Sequence, residues 1–98
     1  MKDQYPLIFI HGLQGSSQGF KATLLRQRFP HILTPDFDGE LEQRMQALTP
    51  LLLQQDGWGI VGSSFGGLMG TLFTTQHPRH VRQLILLAPA FTNPFFDG

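Results

Sequence analysis

The chain has 98 residues, 41% of them hydrophobic and 14% charged, so it reads as a single compact domain or a piece of one, and not as a disordered segment. Seven basic residues balance seven acidic ones with no Lys/Arg cluster, which removes the electrostatic footprint of a nucleic-acid binder. With no cysteine there are no disulfides, thiolate metal sites or cysteine nucleophile, and a reducing, cytoplasmic setting is expected. The longest apolar runs fall well short of the ~18 residues of a membrane span, and the amino terminus lacks a signal-peptide pattern, so the mature chain is expected to start near Met1.

Four short apolar runs, Leu7 to Ile10, Ile32 to Thr34, Gly59 to Val61 and Leu84 to Ala88, alternate with longer amphipathic segments, the rhythm of β-α-β units. The expected fold class is α/β: a parallel sheet of about four strands with helices on both faces. Continuous apolar character in the first and last runs suggests strands covered on both faces, which places both near the sheet centre. The first connecting helix is expected from about Ser17 to Phe29, with Phe20, Leu24 and Leu25 on its apolar face, Lys21, Arg26 and Arg28 on a solvated one, and Pro30 as its stop. Leu41, Met45, Leu48 and Leu52 form the stripe of a second helix, which Pro50 is expected to kink or divide. A third helix runs through Leu68, Leu72 and Phe73 to Pro78, its glycines allowing close approach to the sheet.

Between the third strand and the third helix lies Gly62-Ser63-Ser64-Phe65-Gly66, a G-x-S-x-G pattern centred on Ser64. Such a turn lifts a serine hydroxyl out of the regular backbone as a nucleophile, and Gly62 and Gly66 keep Cβ atoms out of the tight strand-to-helix crossing. The first strand ends in His11-Gly12-Leu13-Gln14-Gly15, a glycine-bearing loop that can aim backbone amides outward. If these two strands are neighbours, both loops flank the crevice where open α/β sheets place ligands.

In these two motifs, on these elements and in this order, the chain resembles the α/β-hydrolase superfamily, most closely its small bacterial esterase-like members. The resemblance covers most of the 98 residues. It implies a single partial hydrolase domain over residues 1–98, with Ser64 as nucleophile and the amides of Leu13 and Phe65 as the oxyanion hole. His11 and Gly12 would support the loop, and no cofactor would be needed. The implied reaction is hydrolysis of a small-molecule carboxylic ester or related acyl bond through an acyl-serine intermediate.

The family's acid and histidine normally follow on later strands, beyond Leu84 to Ala88. Within the chain, His77 and His80 sit at the far end of the helix that begins at Ser64, ~20 Å away at 1.5 Å per residue. His31 precedes the second strand, at the opposite edge. Only His11 lies at the catalytic end, and the chain alone is expected to be nearly inactive. Asp36, Asp38 and Glu40 read as turn and capping residues, and Asp97, after the fourth strand, is a weaker candidate for the triad acid. Phe91, Pro94, Phe95 and Phe96 read equally as acyl-pocket lining or as core, and Trp58 as packing. No His/Asp/Glu cluster has metal-ligand spacing, so no metal is expected. A second reading is a non-catalytic α/β module that associates through Leu84 to Leu87, an unpaired apolar edge strand. A nucleotide site is the weakest alternative, since neither glycine-rich loop matches G-x-G-x-x-G and there is no G-K-[ST].

Overall fold

The computed structural model describes residues 5–87. In chain order these form strand β1 (Leu7–Ile10), helix α1 (Phe20–Arg28), helix α2 (Leu41–Leu52), strand β2 (Trp58–Ser63), helix α3 (Phe65–Gln76), a 3-10 turn (Pro78–His80) and strand β3 (Val81–Leu87). The expected α/β class with a parallel sheet and helices on both faces is what forms, but with three strands rather than four, in the order β1-β2-β3. Ile32 to Thr34 contributes only an isolated parallel bridge between Leu33 and Ile8, closed by Phe9 N–H to Leu33 O and Leu33 N–H to Leu7 O, both 2.9 Å. Pro30 and Pro35 bracket this segment, and a residue without an amide donor on either side leaves no room for a ladder to extend.

The central strand is β2, not the first and last apolar runs. Alternation along the strands divides the core into two layers. Ile8, Ile10, Trp58 and Ile60 face Leu48 and Leu52 of α2 and Met69 and Phe73 of α3. Phe9, with Leu7 and Val61 beside it, faces Ala22 and Leu25 of α1 and Ile32. Trp58 is packing, as expected: it is buried, and its indole N–H donates to Leu52 O at 2.8 Å.

Expectations for two of the helices are corrected. Helix α1 packs through Ala22 and Leu25, whereas Phe20 (80% exposed) and Leu24 face outward. Its Arg26 is half-buried and tied down: Nη1 donates to Ser17 O at 2.6 Å and to Thr34 Oγ1 at 2.8 Å. Helix α2 runs undivided through Pro50, which lies in its last turn. The carbonyl left without a proline amide there is that of Gln46, and both residues are exposed, so water can take the place of the missing donor.

Strand β3 pairs with β2 alone among the described residues, and Ile85 and Leu86 remain 41% and 48% exposed. This is the open apolar edge expected of Leu84 to Leu87; Ala88 lies outside the described residues. On the α1 side, Ile85 and Leu87 join Leu7, Leu25, Phe29 and Val61 around an apolar hollow of about 360 Å³. No helix among the described residues is long and apolar enough to cross a membrane.

Candidate functional site

The β2–α3 junction carries a backbone conformation that side chains rarely adopt. Ser64 has φ 57° and ψ −120°, and it is the one non-glycine residue with positive φ among those described. Holding an L-residue there costs of order 1–3 kcal/mol, which the surrounding packing must over-determine. Two anchors do this. The Ser64 N–H donates to Leu87 O on β3 at 3.0 Å, and the Ser64 carbonyl accepts from Gly67 N–H at 2.9 Å in the first turn of α3.

The flanking glycines are steric requirements. A Cβ at position 62 would lie 2.6 Å from both Gly66 O and Gly67 Cα. One at position 66 would run into the end of β1, meeting the carbonyl oxygen of Ile10, its carbon at 2.6 Å, and His11 O at 2.7 Å. The second contact also places the exits of β1 and β2 against each other, as expected for neighbouring strands: Ile10 pairs with Gly62 in register.

His11 is buried and both ring nitrogens are engaged. Phe37 N–H donates to Nε2 at 2.9 Å, and Nδ1 lies 2.7 Å from Gly12 O. A backbone amide can only donate and a carbonyl can only accept, so the ring carries its proton on Nδ1. With Nε2 occupied by an amide proton, His11 has no lone pair to offer a nucleophile. Gly12 O also accepts from Gly15 N–H at 3.1 Å, closing a turn whose tip exposes Leu13. His11 thus ties the turn to the segment after the Leu33 bridge.

A second tie lies a few residues on. Asp36 accepts from Ser17 N–H at 2.6 Å through Oδ1 and from Ser17 Oγ–H at 2.8 Å through Oδ2. These bonds, backbone first, hold its carboxyl below its ordinary pKa of 3.8. Glu40 forms a capping box with Gln43 at the start of α2, and Asp38 is exposed. Both tied acids therefore act on turns and caps. Asp97, Phe91, Pro94, Phe95 and Phe96 lie outside the described residues.

The other histidines are remote. Helix α3 spans 12 residues, about 18 Å, between Ser64 and His77. His77 packs on Phe73 with ring centroids 4.9 Å apart, and His80 Nδ1 sits 2.8 Å from Asp56 Oδ1. His31 precedes a bridge that runs parallel to β1, so it belongs to the opposite end of the sheet. No three His, Asp or Glu side chains among the described residues are grouped to hold a metal ion.

The structure adds a residue that the sequence reading passed over. Arg44 of α2 is only 5% exposed; its Nε donates to Gly39 O at 2.8 Å, and its guanidinium carbon lies 5.5 Å from the centre of the Phe65 ring. The signal was present in the spacing: position 44 is three after Leu41 and four before Leu48, on the apolar stripe itself.

No curated protein matches the chain by sequence. Among solved structures, the fold is similar to that of an extracellular α/β-hydrolase from a Paenibacillus species, described as sharing structural and functional homology with tobacco salicylic acid binding protein 2. The TM-score is 0.68 at 19% identity, over 85% of this chain and 40% of that one. At that identity the likeness concerns the fold, an α/β-hydrolase fold of which the chain spans well under half the neighbour's length. The sequence profile of the uncharacterised protein family UPF0227 matches residues 6–95, and the chain belongs to that family.

Proposed function

We propose that the chain carries the nucleophile half of a serine hydrolase acting on a carboxylic ester or related acyl bond. The observation that supports it best is the positive φ of Ser64 between two glycines that packing forbids to be anything larger. Backbone strain concentrated on one hydroxyl-bearing residue at the carboxyl end of a central parallel strand is what a nucleophile turn requires, and Ser64 itself is buried, 3% exposed.

In this reading Ser64 Oγ adds to the acyl carbon while its proton passes to a base. The carbonyl electron pair moves onto oxygen, where the amides of Leu13 and Phe65 receive it. Collapse of the tetrahedral species breaks the bond to the leaving alcohol, which takes up the proton, and water then releases the acid from Ser64 by the same steps. None of the four histidines of the 98 residues is placed to be that base, since His11 is engaged and His31, His77 and His80 are remote, so in this reading the complete protein supplies it from a further segment. Residues 5–87 supply nucleophile and oxyanion donors and little turnover by themselves.

A fluorophosphonate, which forms a phosphorus–oxygen bond to an activated serine and expels fluoride, tests the assignment. The full-length protein is expected to be labelled at Ser64, and Ser64→Ala to abolish labelling. A label that survives Ser64→Ala removes the nucleophile from this position.

A second reading, association through β3, is favoured by the exposure of Ile85 and Leu86 along an edge that pairs with nothing beyond β2 among the described residues. Size-exclusion chromatography of the 98-residue chain should then show association rising with concentration and suppressed by Ile85→Lys. A monomer at all concentrations ends that reading.

A further inference from the structure

Arg44 is the one buried residue of permanent charge among those described, and no carboxylate lies within ion-pair reach of it there. Its Nη1 is closed off from solvent and has no hydrogen-bond partner among the described residues. A guanidinium offers five N–H donors, and Nε alone is used, on Gly39 O. Burying such a group without an anion is costly, and one contact with an aromatic face does not offset it. The position matters as much as the deficit. The ring beneath the guanidinium belongs to Phe65, the first residue of α3, whose amino-terminal dipole favours negative charge beside Ser64.

We propose that Arg44 receives a carboxylate carried by the substrate, so that the substrate class is a half-ester or comparable acyl compound with a free acid group. This inference rests on the reading of Ser64 as nucleophile. With Nε held by Gly39 O, the edge formed by Nη1 and Nη2 remains, and its two parallel N–H bonds match the two oxygens of one carboxylate. A phosphate dianion would bring a second charge, and no other side chain of permanent positive charge among the described residues is buried to meet it.

The test uses full-length protein and two readouts. In the Ser64→Ala variant, which cannot turn over, the Arg44 Nε–H signal in a nitrogen-15 spectrum is followed during titration with monomethyl glutarate or neutral dimethyl glutarate. Saturable movement with the first and none with the second is expected; equal responses, or none, overturn the proposal. In the Ser64 enzyme, the ratio of kcat/KM for a glutarate half-ester to that for the matching neutral ester should fall roughly tenfold or more in Arg44→Gln, through KM, with partial recovery in Arg44→Lys. Arg44→Met, which keeps the volume and loses the charge, should show the same fall if the glutamine variant folds poorly. An unchanged ratio in a folded, fluorophosphonate-labelled variant also overturns the proposal. Failure of labelling at Ser64 in the unmodified enzyme is a different result: it removes the hydrolase reading, and the titration still decides whether Arg44 holds a carboxylate.

Discussion

Replacing Gly66 with alanine plants one methyl group between the start of α3 and the end of β1, and the cost can be worked from what that methyl would meet. Its neighbours are the Ile10 carbonyl, with the carbon at 2.6 Å, and His11 O at 2.7 Å. Overpacking that flexible side chains can absorb costs about 1–3 kcal/mol. Here the obstacles are backbone carbonyls of a buried strand, so at least about 3 kcal/mol is expected, from the upper end of that range. For a domain of this size each kcal/mol lowers Tm by about 4–8 °C, which gives a fall of about 12–24 °C. The internal control is Gly57→Ala, where φ is +78° and nothing lies within 4 Å of the added Cβ. That variant incurs only the left-handed backbone cost, about 1–2 kcal/mol. Urea unfolding followed by the fluorescence of buried Trp58 measures both. If Gly66→Ala is no more destabilised than Gly57→Ala, the close crossing of α3 over β1 is not what demands glycine there.

Three further outcomes follow from the same geometry. His11→Phe leaves the buried Phe37 N–H without an acceptor and should lose about 1–3 kcal/mol in urea unfolding, with slower labelling of Ser64 as the Leu13 turn loosens; lost labelling at unchanged stability would instead make His11 the base. The lowered pKa of Asp36 means that its stabilisation is complete above the carboxyl's ordinary 3.8 and is lost as pH falls through the lower folded value. The urea midpoint difference between wild type and Asp36→Asn should therefore close on acidification, and a difference that persists at the lowest pH contradicts the Ser17 tie. Ser63→Ala removes a buried hydroxyl that has no partner among the described residues, so stability should hold or rise by about 1 kcal/mol; a loss of that size would reveal a hydrogen bond the hydroxyl makes.

What the sequence disclosed was whatever depends on local pattern. The β1 bounds, the α2 stripe and the Ser64 turn are set by runs, periods and glycines, and each stands where the pattern put it. The misreadings share another origin. Ile32 to Thr34 is as apolar as a strand, but two prolines a few residues apart decide how many amides it can offer. Phe20 and Leu24 are apolar by type, yet α1 is rotated to present Ala22 and Leu25, because a small residue lets the helix approach Phe9. Arg44 was hidden by its own charge: a pattern that sorts residues into apolar and polar assigns arginine to the outside, whatever its place on the stripe. Lone-pair occupancy at His11 was equally out of reach, since it depends on an amide 26 residues away.

The hydrogen bond from the Ser64 amide to Leu87 O joins the strained turn to the edge of the sheet. Strand β3 is both an outer rail of the sheet and the clamp on the residue after β2. Anything that peels the end of β3 away, whether heat, denaturant or a competing strand, releases that amide at the same moment. Deuterium uptake at the Ser64 amide therefore works as a built-in gauge of β3 docking, and it can be read without a substrate.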